Sequence, residues 1–157
     1  MGNLRVAVCD DEPMDLVQTI TLIQQYDTGK CFDIFSYTRA VDLLKIALEK
    51  PFDVVLLDIE METPNGYEIA KKLVMLPSPP VIIFVTKSSA YTLKGYGIAL
   101  RYLQKPLARA AFEEALDASV HEAIAHRLYF TSEDRTVALP LREILYIEMF
   151  GHYAVVH

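Results

Sequence analysis

Five side chains carry the chemistry in this chain of 157 residues. They are the carboxylates of Asp10, Asp11 and Asp58, the hydroxyl of Thr86 and the ammonium of Lys105. Each stands at the end of a short, mostly apolar run. Arg5–Cys9 leads into Asp10-Asp11, Val54–Leu57 into Asp58, Val81–Val85 into Thr86, and Leu100–Gln104 into Lys105-Pro106. Short runs rich in β-branched residues read as strands buried on both faces. If all four strands are parallel, the five polar groups converge at one sheet edge. That edge, outside the carboxyl ends of the strands, is where open α/β sheets bind ligands. The set is an acidic metal cup with a hydroxyl and an ammonium beside it. Two unit charges 4 Å apart repel by about 4 kcal/mol at an effective dielectric of 20. Three carboxylates packed together therefore require a cation or a protonation shift. A hard divalent ion such as Mg²⁺, which takes one or two carboxylates plus water and phosphate oxygens, answers that requirement.

The segments between these runs must bring the strand ends together. After Asp10-Asp11-Glu12-Pro13, apolar residues at Leu16, Val17, Ile20 and Ile23 predict one helical face, stopping before Asp27-Thr28-Gly29. Cys31–Phe35 reads as a further strand. Thr38 is positioned to cap a helix carrying Leu43, Leu44, Ala47 and Leu48, which Pro51 ends. Past Asp58 a loop runs to Gly66, where glycine is expected to supply a backbone shape other residues resist. A helix with Ile69, Ala70, Leu73 and Val74 follows and closes before Pro77, Pro79 and Pro80. After Thr86 a weak helix through Tyr91 and Leu93 is expected, with Gly95 and Gly97 at its end. A last helix from near Leu107 shows Phe112, Ala115, Leu116, Val120, Ala123 and Ile124. Alternation of strand and helix implies an α/β doubly wound sheet with right-handed crossovers and helices on both faces.

Bulk properties agree with that picture. An apolar fraction of 52% supports a core, and a net charge of −6 argues against direct nucleic-acid binding by this piece. No apolar run reaches membrane-span length, and Asp10, Asp11 and Glu12 interrupt any signal-peptide pattern. The two cysteines, Cys9 and Cys31, read as buried free thiols in a reducing, cytoplasmic setting. The histidines His121, His126, His152 and His157 show no metal spacing.

Taken singly, each motif has an ordinary reading. The acid pair could be a helix N-terminal cluster favoured by the dipole, Asp58 a loop cap, and Thr86 and Lys105 surface residues. Together and in this order, Asp10-Asp11, Asp58 with Gly66 eight residues on, Thr86, and Lys105-Pro106 after Tyr102 resemble a response-regulator receiver domain. The resemblance implies a flavodoxin-like five-stranded parallel sheet in the order 2-1-3-4-5. It also implies Mg²⁺ ligated by Asp11, Asp58 and the Glu60 carbonyl, with Asp10 acting through water. Asp58 would accept a phosphoryl group from a sensor histidine kinase, Thr86 and Lys105 would hold the phosphoryl oxygens, and Thr86 and Tyr102 would form the switch. A packing tyrosine remains the alternative for Tyr102. The resemblance further implies a cis peptide between Lys105 and Pro106.

Two departures stand out. Similar receivers carry a proline directly after Met61, whereas Glu62 stands there and the proline comes at Pro64. They also carry a small residue after the threonine, whereas Lys87 occupies that place and can narrow the approach or add a cation. Two other readings compete. One is a pseudo-receiver acting as a phosphorylation-independent interaction module. The other is a Mg²⁺-dependent phosphatase of the haloacid-dehalogenase type, although that family resembles Asp-x-Asp and here the acids are adjacent.

The chain divides into a receiver at 1–126 and a β segment at 127–157. Short strands are expected at Leu128–Thr131, Thr136–Leu139, Ile144–Glu148 and Gly151–His157. The run Ile144–His157 resembles the opening of a LytTR-type DNA-binding domain, which implies transcription regulation with DNA contacted only through the complete output domain. Exposed strand edges in such a segment recruit other chains, so a homodimer is a further expectation.

Overall fold

The computed structural model describes residues 3–27, 29, 32–88, 97–132, 135–141 and 144–157. Five parallel strands form the sheet: β1 (Leu4–Cys9), β2 (Phe32–Tyr37), β3 (Val54–Leu57), β4 (Val81–Thr86) and β5 (Arg101–Gln104). Their order is β2-β1-β3-β4-β5, as expected. Four helices are described: α1 (Pro13–Tyr26), α2 (Ala40–Glu49), α3 (Gly66–Leu73) and α4 (Arg109–Ala125). The helix expected through Tyr91 and Leu93 lies outside the described residues, as does Cys31.

Strand alternation feeds two separate cores. Val6, Val8, Val54 and Leu56 face the layer formed with Leu16 and Ile23 of α1 and Phe112 and Leu116 of α4. Ala7, Cys9, Val55 and Leu57 face the opposite layer, with Leu43 of α2 and Ile69 and Leu73 of α3. Because side chains alternate across a strand, a central strand between two helix layers must be apolar at every position. That accounts for the unbroken run Val54–Leu57, all of it buried.

Several local expectations are corrected. Val17 is 62% exposed and does not belong to the buried face of α1, where Thr19 takes a core place beside Leu16 and Ile23. Leu48 and Ile124, expected on the apolar faces of their helices, are also exposed. Thr38 does not cap α2. The extended residue before the helix is Arg39, with no side-chain cap, so Thr38 lies one residue too early for its hydroxyl to reach the first free amides. By contrast, Asn65 caps α3 fully. Its side chain accepts the Glu68 N–H at 3.0 Å and the Glu68 carboxylate accepts the Asn65 N–H at 3.1 Å.

Beyond α4 the chain forms two antiparallel pairs, β6 (Arg127–Ser132) with β7 (Arg135–Pro140) and β8 (Ile147–Phe150) with β9 (Tyr153–Val156). The last strand begins later than expected. Gly151 has φ +61° and belongs to the turn that pairs Phe150 with Tyr153. No helix among the described residues is long and apolar enough to cross a membrane.

Candidate functional site

The strand register sets the site. Cys9 lies beside Leu57 and Leu57 beside Phe84, so Asp10 and Asp58 are the first residues past the paired core of adjacent strands. The Asp58 N–H donates to the Cys9 carbonyl at 2.9 Å, which locks the two ends together. Thr86 pairs with Gln104, and the Lys105 N–H donates to the Thr86 carbonyl at 2.9 Å. All five sequence candidates therefore come to one edge.

Three strand-end side chains are oriented by the same local device. Oδ1 of Asp10 accepts the N–H of Glu12 at 2.9 Å, Oδ1 of Asp58 accepts that of Glu60 at 3.0 Å, and Oγ1 of Thr86 accepts that of Ser88 at 3.3 Å. Each bond reaches two residues ahead and closes a small turn. The turn bends the chain out of the strand and, at the two acids, turns the second carboxylate oxygen toward the cleft.

Lys105 fills the cleft. Its Nζ donates to Oδ2 of Asp10 at 2.6 Å, of Asp15 at 2.9 Å and of Asp58 at 3.0 Å. An ammonium has three protons, so these bonds exhaust its donors. The Lys105 side chain is almost fully buried, as are those of Asp10 and Asp58. Burial alone would push the ammonium toward neutrality, but the three carboxylates outweigh it and hold Lys105 charged, above its usual range. At Asp10 the balance falls the other way: burial raises its carboxyl although Lys105 and the Glu12 N–H pull it down. Asp15 is lowered by its bonds to Lys105 and Lys87, against a smaller opposing effect of burial.

Asp11 is exposed at the rim. One carboxylate oxygen from each of Asp10, Asp11 and Asp58 lies within 4.8 Å of the others. Three hard oxygen donors this close suit Mg²⁺, which binds through a few carboxylates while keeping waters. A buried edge lined by thiols or imidazoles would not. Cys9 is present but turned away, its Sγ 3.8 Å from Met61 Sδ. Burial and then the neighbouring carboxylates push its thiol up to about 12, which disfavours the thiolate that a metal would need. It is free and buried, as expected.

The peptide between Lys105 and Pro106 is cis, as expected. The Thr63–Pro64 peptide is cis as well, in the loop that follows Met61. Tyr102 is half-buried with its ring 5.1 Å from that of Phe84. Lys87 lies at the rim, its Nζ 3.2 Å from Asp15 Oδ2. Asp15 was not singled out from the sequence. The available signal was its place as the acid in the first turn of α1, directly after the acid pair.

Gly66 is required for a reason other than the expected one. Its backbone is helical, not left-handed. A β-carbon there would lie 1.8 Å from the Asp58 carbonyl oxygen. The start of α3 is packed directly onto the residue at the end of β3.

A sheet of this order, with an acid pair, a lone acid, a threonine and a lysine gathered at its carboxyl edge, defines the receiver class. Residues 6–117 match the family model of the response regulator receiver domain, and the chain belongs to that family. This membership replaces the phosphatase reading. Among similar proteins, the sensory transduction protein LytR of Streptococcus mutans is 29% identical over 114 residues, covering 72% of this chain and 47% of that protein. The protein of the same name from Streptococcus agalactiae is 24% identical over 159 residues, covering 90% of this chain and 65% of its own length. This chain thus spans only part of each relative. The response regulatory domain of protein mrkE from Klebsiella pneumoniae superposes with a TM-score of 0.70 at 20% identity, covering 76% of this chain and 98% of that one.

Proposed function

We propose that this chain accepts a phosphoryl group on Asp58 from a sensor histidine kinase, in the cytoplasm and with Mg²⁺ at the acid cluster. The observation that carries this reading is the convergence of Asp10 and Asp58 on one buried Lys105 ammonium, with Asp11 beside them, at the end of the central strand. The phosphorus–nitrogen bond of a phosphohistidine breaks as a bond forms from phosphorus to an Asp58 oxygen, and the freed imidazole leaves with a proton. Asp11, Asp58 and the Glu60 carbonyl would hold the metal, with Asp10 acting through water. When bound, Mg²⁺ supplies positive charge to the phosphoryl oxygens and relieves carboxylate crowding. Lys105 gives a second cation and Thr86 a hydroxyl to the same oxygens.

The product adds roughly −1.5 to −2 of charge beside Thr86 and Lys105. Thr86 then moves toward the phosphoryl group and Tyr102 shifts its packing on Phe84, which alters the face formed by β4 and β5. Residues 127–157 form the first part of a LytTR-type DNA-binding output domain, through which DNA would be contacted and copies of the chain could pair. The alignment with the Streptococcus agalactiae relative, which covers 90% of this chain, supports continuity beyond the receiver.

Incubation with a small phosphodonor and Mg²⁺, followed by intact-mass measurement, tests the reading. A gain of one phosphoryl group is expected, with none in Asp58→Asn and a shift of the Mg²⁺ dependence to higher concentration in Asp11→Ala. Persistent labelling of Asp58→Asn, or an inert wild type, would refute the assignment and favour the phosphorylation-independent module.

A further inference from the structure

Asp15 binds two ammoniums with one oxygen. Its Oδ2 is 2.9 Å from Lys105 Nζ and 3.2 Å from Lys87 Nζ. All three Lys105 donors are occupied, so a phosphoryl oxygen can reach Lys105 only by displacing one acceptor. The three acceptors are not equally held. Side-chain exposure is 3% at Asp10, 7% at Asp58 and 21% at Asp15. Asp10 and Asp58 are also fixed by backbone N–H groups through their other oxygens. Water can replace a lost partner at Asp15 far more cheaply than at either buried acid. Asp15 is therefore the acceptor that yields.

Yielding would leave Asp15 as an unpaired carboxylate close to an incoming dianion. Lys87 prevents this, because it already rests on the same oxygen and has a largely exposed side chain free to follow it. We propose that Asp15 and Lys87 are positioning residues for phosphoryl transfer. Asp15 parks Lys105 in the resting site, and Lys87 keeps Asp15 neutralised when Lys105 turns to the phosphoryl group. This role rests on Asp58 being the phosphoacceptor. It assigns Lys87 a supporting part, acting through Asp15, in place of a bare obstruction at the entrance.

The pairing predicts a specific pattern of coupling. Lys87→Ala leaves Asp15 uncompensated, so Asp15 grips Lys105 more firmly and repels the donor. Partly exposed pairs of this kind are worth up to about 1 kcal/mol, so phosphorylation should slow by about two- to fivefold. Asp15→Asn removes both the grip and the charge, so Lys87→Ala should have no effect in that background. Two readouts suffice in the full chain. One is the rate of labelling by a small phosphodonor together with the affinity for beryllofluoride, a phosphoryl mimic, followed by fluorine NMR with Mg²⁺. The other is the proton–nitrogen spectrum of the lysine ammoniums without metal or mimic, in which Asp15→Asn should shift both Lys87 and Lys105. A Lys87→Ala defect that persists in Asp15→Asn, or no defect in an active wild-type background, overturns the role alone. A wild type inert to donor and mimic overturns the phosphoacceptor reading and this role with it.

Discussion

Replacing Gly66 with alanine should destabilise the receiver although alanine is the better helix former. The new β-carbon would sit 1.8 Å from the Asp58 carbonyl oxygen, 2.8 Å from its carbon and 3.0 Å from Ile59 Cα. Real β-carbons essentially never approach a neighbour closer than 3.0 Å, so about 1.2 Å, the difference from 1.8 Å, must open. All three obstacles are backbone, so no side chain can swing aside. Either α3 retreats, loosening Ile69, Ala70 and Leu73 from the core, or the end of β3 moves. Forced overpacking costs about 1–3 kcal/mol and sometimes more. The intrinsic helix preference for alanine returns up to about 1 kcal/mol. A net loss of about 1–2 kcal/mol is expected in urea unfolding, with a slower phosphorylation rate because the displaced carbonyl belongs to Asp58. Asparagine separates the two explanations of this glycine. It tolerates left-handed backbone, so it would outperform alanine if conformation were the issue, but a close approach makes it no better. A Gly66→Ala protein as stable as wild type would refute the packing argument.

Two other outcomes follow from buried or partly buried pairs. Arg127 binds Asp53 at 2.7 Å, and both side chains are largely buried, so Arg127→Ala should cost roughly 3 kcal/mol in denaturant unfolding; an effect below 1 kcal/mol would show that Asp53 is satisfied without it. The Tyr26 hydroxyl donates to Asp117, and burial, then that carboxylate, push the phenol up to about 12 from 10. Its folded value is raised, so its stabilising contribution is complete below pH 10 and is lost as pH climbs through 12. The stability difference between wild type and Tyr26→Phe should shrink across that window, and a constant difference would count against the shift.

The strand ends were legible because parallel strands buried on both faces have a simple signature, and the polar residue that ends each run marks where burial stops. Asp10, Asp11, Asp58, Thr86 and Lys105 could be placed at one edge on that basis alone. Side-chain partners were less accessible. Val17 and Thr19 exchange roles on α1 because the buried stripe depends on the angle at which the helix lies across the sheet, which periodicity alone does not fix. Asp15 looked like one more acid in a first helical turn, and only the reach of Lys105 back across the sheet reveals its use. Gly66 was noticed, but the cause was inferred from the residue type when the cause is a neighbour's carbonyl.

The ion pair at Asp53 bears on how such a module is cut and joined. Asp53 precedes β3 at the end opposite Asp58. Its Oδ2 accepts the Arg5 N–H at 2.8 Å, its N–H donates to the Arg5 carbonyl at 2.8 Å, and its carbonyl accepts the Val81 N–H at 2.9 Å. It thus pins the starts of three strands, and its remaining oxygen is held by Arg127, the first residue of β6. Secondary structure would place a cut after His126, where the last receiver helix has ended. A receiver severed there carries a buried acid without its cation, whereas one severed a residue later keeps it. Grafts onto a foreign effector should therefore bring Arg127 along with the donor receiver. By charge, Arg127 belongs with the parallel sheet whose strand starts Asp53 ties together.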